Sequence, residues 1–190
     1  MRTMSLNRVV VFGLLAAFAV GAPPALATPA FTVEDTAGTL HHGVYYLDAD
    51  LALNLNRQAR DALANGVALT FLMQIHVIRT RVLLWNQDVA ELTQRYRLSY
   101  LPLSNRYRVE NLNSGAIADY GSLAAALAPI EHIRDLPLID ADLLARGVRY
   151  LAALRVVLDT RDLPGPLQLM TMFVPGWRLE SEWHQWVLVP

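Results

Sequence analysis

The chain has no cysteine and no lysine among its 190 residues. Without cysteine it forms no disulfide and no thiolate metal site, carries no lipid on a mature amino-terminal cysteine, and has no cysteine nucleophile. Without lysine it builds no P-loop, and its glycines are too sparse for another phosphate-cradling loop. No G-x-S-x-G elbow occurs, and neither does an H-x-H or HExxH metal-ligand spacing. A basic excess is also missing. All sixteen basic residues are arginine, and from Thr28 onward 14 of them face 17 acids, a formal charge of −3 that gives no support to nucleic-acid binding. Beyond residue 30 there is no long apolar run. The strongest candidate, Val67 to Ile78, is interrupted by Thr70, Gln74 and His76.

What is present begins with the amino terminus. Arg2 and Arg8 precede an uncharged apolar run from Val9 to Ala22, which is followed by Pro23-Pro24 and then Ala25-Leu26-Ala27. A basic start, a short apolar run, a helix breaker and an A-x-A triplet are the parts of a secretory signal peptide. The pattern predicts a cleaved segment over residues 1–27 and export, with the periplasm as the expected compartment. The apolar run is shorter than the ~20 residues a spanning helix needs, so a retained anchor is the weaker reading. The mature chain is expected to have no transmembrane span. Residues 28–190 suffice for a single domain with its own core.

The mature part alternates. Phe31 to Asp35 reads as a strand, with Ala37-Gly38 as a turn. Tyr46 to Leu55 reads as a half-buried strand with Leu47, Ala49, Leu51, Leu53 and Leu55 on one phase. Asn56 is placed to cap a short helix over 57–65, which Gly66 ends. Val67 to Arg81 is apolar on both phases, as a covered central strand should be. Residues 86–88 read as a turn. Strands at 95–100 and 106–110 form a hairpin through Pro102 and Asn105. Ser122 opens a short helix that Pro129 stops. A short helix or turn from Asp140 precedes a strand from about Tyr150. Leu163-Pro-Gly-Pro reads as a rigid loop, with strands at 167–173 and 177–189. Seven to nine strands with two or three short helices predict a mainly β fold, an antiparallel β-sandwich.

Candidate sites are few. Arginines recur at i, i+2 in three places: Arg79/Arg81, Arg95/Arg97 and Arg106/Arg108. On a strand both members of a pair point one way, so neighbouring strands would align them as a stripe suited to phosphate or carboxylate. Internal pairing with Asp48, Asp50, Glu180 and Glu182 is the competing expectation. Arg79 and Arg81 continue the core phase of Phe71, Met73 and Ile75, which requires either a bulge or a strand running past the core. Trp177 and Trp183 share a phase with Leu179 and read as core, whereas Trp186 falls on the opposite phase and is a candidate interface anchor. Asp48/Asp50 and Glu180/Glu182 could pair as catalytic carboxylates, but each sits on the polar phase of its expected strand. His41 and His42 are adjacent and so diverge on a strand, and His76, His132 and His184 are isolated in sequence. No metal, cofactor or catalytic residue is assigned.

Several stretches together resemble one bacterial family, DUF4390. They are Ala62-Leu-Ala-Asn-Gly-Val-Ala-Leu-Thr-Phe, Arg79-Thr-Arg, Tyr96-Arg-Leu-Ser-Tyr, Arg106-Tyr-Arg-Val, Ser122-Leu-Ala-Ala-Ala-Leu, Tyr150, Leu154-Arg-Val-Val-Leu-Asp, Leu163-Pro-Gly-Pro-Leu-Gln and Trp177-Arg-Leu-Glu-Ser-Glu-Trp. Leu83-Leu84-Trp85 departs from the family, whose members often carry more aromatic residues there. The resemblance implies an exported protein of unestablished activity. Its members are often encoded beside a sensor kinase of the nitrogen-regulation type. Together these readings predict a non-enzymatic interaction module at the cell envelope, with an envelope protein, such as a sensor kinase, as its partner. The alternative is a binder of an anionic lipid or polymer through the paired arginines.

Overall fold

The computed structural model describes residues 30–81, 87–171 and 175–188. The expected signal segment, the Leu83-Leu84-Trp85 stretch and Phe173 lie outside these residues. Among the described residues, nine strands form two antiparallel sheets, with three short helices at their margins. The smaller sheet has the order β1-β2-β7 (Phe31–His41, Val44–Leu53, His132–Asp140). The larger has the order β6-β5-β4-β3-β8-β9, comprising Ile117–Tyr120, Arg106–Asn111, Gln87–Leu101, Leu69–Arg79, Tyr150–Asp159 and His184–Leu188.

Alternation explains most of this. In β2 the buried set is Tyr45, Leu47, Ala49, Leu51 and Leu53, every second residue as a half-buried strand requires. In β3 the inward set is Leu69, Phe71, Met73, Ile75 and Val77, each at most 2% exposed. Thr70 and Leu72 on its other face are buried too, as suits the strand between β4 and β8. From β8, Leu154, Val156 and Leu158 complete the large sheet's contribution to the main core, which Phe31, Leu47 and Leu51 of the small sheet meet. A second cluster of Tyr45, Val77, Ile139, Tyr150, Ala152 and Leu188 closes the other end.

The termini of the elements have local causes. His42 and Gly43, at φ 50° and 81°, form the two-residue turn between paired His41 and Val44. Strand β1 therefore passes straight through Ala37-Gly38, the position expected to turn. There the glycine lets the chain approach the large sheet: a Cβ on Gly38 would lie 3.2 Å from Trp186 Nε1. Asn56 caps α1 (Arg57–Ala64) by accepting the Ala59 N–H at 3.0 Å, and Gly66 follows at φ 82°. Ser122 caps α2 (Leu123–Glu131), which runs on through Pro129 instead of stopping before it.

Other expectations are corrected. Gln87 and Asp88 are not a turn but the start of β4. Residues 165–171 form a helix, α3 (Gly165–Thr171), where a strand was expected: prolines suit a first helical turn, and the Pro164 carbonyl accepts from Leu167 and Gln168. Trp177 lies in a 3₁₀ turn, and only His184–Leu188 of the carboxy-terminal stretch is a strand. Strands β6 and β7 were not expected at all. Alternation in β7 is broken by two register irregularities against β2 and by Asp135 at φ 51°.

Candidate functional site

The small sheet covers one face of the large sheet and leaves the other outward. On that outward face lie the even-numbered residues of β3 (Leu72, Gln74, His76) and, through the register, Arg95, Arg97, Arg155 and Ala153. The β4–β5 hairpin pairs Arg97 with Glu110, Ser99 with Arg108 and Leu101 with Arg106. Four of the six predicted arginines, Arg95, Arg97, Arg106 and Arg108, therefore share one face of adjacent strands. Arg79 and Arg81 do not join them. Arg79 opposes Gln87 at the far end of β4, roughly 25 Å from Arg95 at a strand's rise per residue. It keeps the inward phase of β3, half-buried at the strand's end opposite Tyr150, so the strand runs to the core's edge. Arg81 donates to Gln87.

The four aligned arginines are engaged within the molecule. Arg108 makes a bidentate pair with Asp119 of β6 (2.7 and 2.9 Å), which holds that carboxyl below the ordinary range and raises the guanidinium. Arg97 meets Glu110 at 3.3 Å, Arg95 meets Asp162 at 3.2 Å, and Arg106 donates to the Asp119 carbonyl at 2.9 Å. Sequence pattern did not single out Arg155, which extends the row: it donates to Gln74 at 2.8 Å and approaches Glu180 at 4.0 Å. At the end of β8, Arg161 is bidentate on Asp159, a residue 5% exposed whose carboxyl is held low by that pair. The carboxylate partners are mostly not those the sequence suggested. Asp48 and Asp50 sit on the other sheet, where Asp48 accepts the Asp135 N–H (2.8 Å) and Asp50 accepts from Arg134 (2.6 Å) beside His132. Glu180 and Glu182 do not share a strand face; Ser181 between them is buried, donating to the Glu182 carbonyl and accepting from Val156 N–H.

Trp177 keeps its expected role, whereas Trp183 and Trp186 exchange theirs. Trp177 is core, at 5% exposed. Trp186 is half-buried, packed against both core clusters, with its Nε1 buried and unpartnered. Trp183 is the exposed one, at 37%, because the chain enters β9 only at His184. The Arg155 guanidinium lies 4.7 Å over its ring, and the His76 imidazole meets it in an edge contact at 4.9 Å between centroids. Trp183 also borders a groove of about 160 Å³ shared with Phe31, Thr32, Val33, Glu182 and His184.

Next to Trp183, three potential ligands converge. His76 opposes Glu91 across the β3–β4 ladder, and Asp88 opposes Ile78. Three residues apart, Asp88 and Glu91 belong on opposite faces of a regular strand. The extra residue of a bulge in β4, between Asp88 and Ala90, returns both to the face of His76. His76 Nδ1 lies 3.9 Å from Asp88 Oδ1 and 3.8 Å from Glu91 Oε1, too far for hydrogen bonds. Among the described residues this is one cluster with metal-ligand proximity. No sequence motif marks it, since the two carboxylates reach the histidine only through strand pairing.

These features define a two-sheet antiparallel β protein with an outward face of matched arginines and carboxylates around a held tryptophan. The chain belongs to a family described as a domain of unknown function (DUF4390), whose pattern matches residues 28–187. No curated protein and no solved structure matches it.

Proposed function

We propose that the protein is an exported, non-enzymatic interaction module that docks a protein partner of the cell envelope on the outward face of the large sheet. One observation carries the choice of face: Trp183 is exposed and is held between Arg155 and His76. An aromatic side chain already fixed by its neighbours loses little rotamer freedom on binding, and tryptophan and arginine are both enriched among the residues that carry protein-interface affinity. The surrounding charges favour a protein over an anionic surface. Arg95, Arg97, Arg108 and Arg155 each face a carboxylate, so a lipid or wall polymer would have to displace Asp162, Glu110, Asp119 and Glu180. A partner carrying both signs exchanges such pairs without leaving a buried charge unmatched. Export rests on the amino-terminal sequence pattern.

The test is photo-crosslinking in the native cell from a probe at Gln185 beside Trp183, with a probe at exposed Leu143, just beyond β7 of the small sheet, as control. One envelope protein captured from Gln185, and lost in Trp183→Ala, is the expected result. Equal capture from both positions, or co-purifying lipid or wall polymer in its place, overturns the reading.

A further inference from the structure

We infer that His76, Asp88 and Glu91 form a binding site for a divalent transition-metal ion of the zinc type, independent of the docking reading above. The three donor atoms lie within 4.8 Å of one another, yet none bonds another. Zinc–nitrogen and zinc–oxygen bonds of about 2.0–2.2 Å place tetrahedral ligand atoms roughly 3.3–3.6 Å apart. The observed 3.8 and 3.9 Å histidine–carboxylate separations need a closure of about half an ångström and the carboxylate pair, within 4.8 Å, at most about 1.5 Å, within reach of rotation by two exposed side chains. One imidazole with two carboxylates is a borderline donor set. It suits zinc or its first-row neighbours better than magnesium, which prefers oxygen alone and resists dehydration.

The backbone supports the assignment. The bulge adds one residue to β4 and so turns Asp88 toward the histidine; without it only Glu91 would reach. Trp183 stands edge-on to the His76 ring and limits its rotation. Three protein ligands leave at least one position for water or for a donor from another molecule. A site of this openness holds metal less tightly than a closed four-ligand site.

The experiment is calorimetric titration of the untagged, chelator-treated protein with zinc, read together with tryptophan fluorescence on addition of cobalt. One zinc per chain is expected. Asp88→Asn and Glu91→Gln should each weaken binding by more than about tenfold, the loss that even an outer-shell partner's removal causes. His76→Ala should abolish it, and His132→Ala should leave it intact. Cobalt should quench the wild type more than Trp183→Phe, because Trp183 contacts the ligand ring. Both carboxylate changes are near-isosteric on exposed side chains, and matching circular dichroism melts certify folding. Absence of zinc binding, or binding that ignores these substitutions, overturns the site while leaving the crosslinking result untouched.

Discussion

At the scale of the residue, small polar side chains set the ends of elements and large ones set the faces. Asn56 does two tasks: its Oδ1 caps α1, and its Nδ2 donates to the Gly176 carbonyl 120 residues away. Asn56→Ala is expected to cost about 1–2 kcal/mol, measured as a lower denaturation midpoint with unchanged slope. This cap was legible in the sequence, because Asn before a helical apolar set and Gly after it is a local signal. The exposure of Trp183 was not. Its phase looked inward only on the assumption that the strand began at Trp177, and a late strand start reverses that phase. Trp183→Ala should lower stability by less than about 1 kcal/mol, the scale of an exposed cation–π contact, while abolishing partner capture. The separation of these two readouts distinguishes an anchor from a packing residue.

Elements differ in how much of them a sequence reveals. Strand β2 was plain because it has one wet and one dry face, and β3 because one phase is apolar throughout and the other is buried at its start. The β4–β5 hairpin followed from Pro102 and Asn105, the latter at φ 52°. Strand β7 was hidden by its irregular pairing, and α3 by prolines that mark either a loop or a first helical turn. For the arginines, the i, i+2 spacing gave their common face correctly in β4 and β5. It carried no information on which carboxylates stand opposite, since Asp119 and Asp162 come from segments the pattern did not pair with them. The His76 cluster was hidden for the same reason, with a bulge added. Because β3 is the central element, Phe71→Ala should cost about 3–5 kcal/mol in equilibrium unfolding, more than any substitution on the outward face.

For the whole molecule, acid should be the condition that reveals its ion pairs. Asp50, Asp119 and Asp159 are held below the ordinary aspartate range, each chiefly by a hydrogen-bonded arginine. A carboxyl lowered on folding contributes stability that is complete above its unfolded value, about 3.9, and is lost as pH falls through its folded value. The melting temperature should therefore stay level from neutral pH to about 4 and then drop. Asp119→Asn should melt lower at neutral pH and fall less steeply in acid, as followed by circular dichroism. The order of the strands has a consequence of another kind, in time. β3 finds one neighbour, β4, a few residues downstream, but its other neighbour begins at Tyr150, and β2 waits for β7 at His132. A growing chain that stops short of residue 132 thus lacks β7 from the small sheet and both β8 and β9 from the large one, and its core is open. The first two-thirds of the chain therefore stay open as they are made, and the fold closes only once the segments from His132 onward have been added.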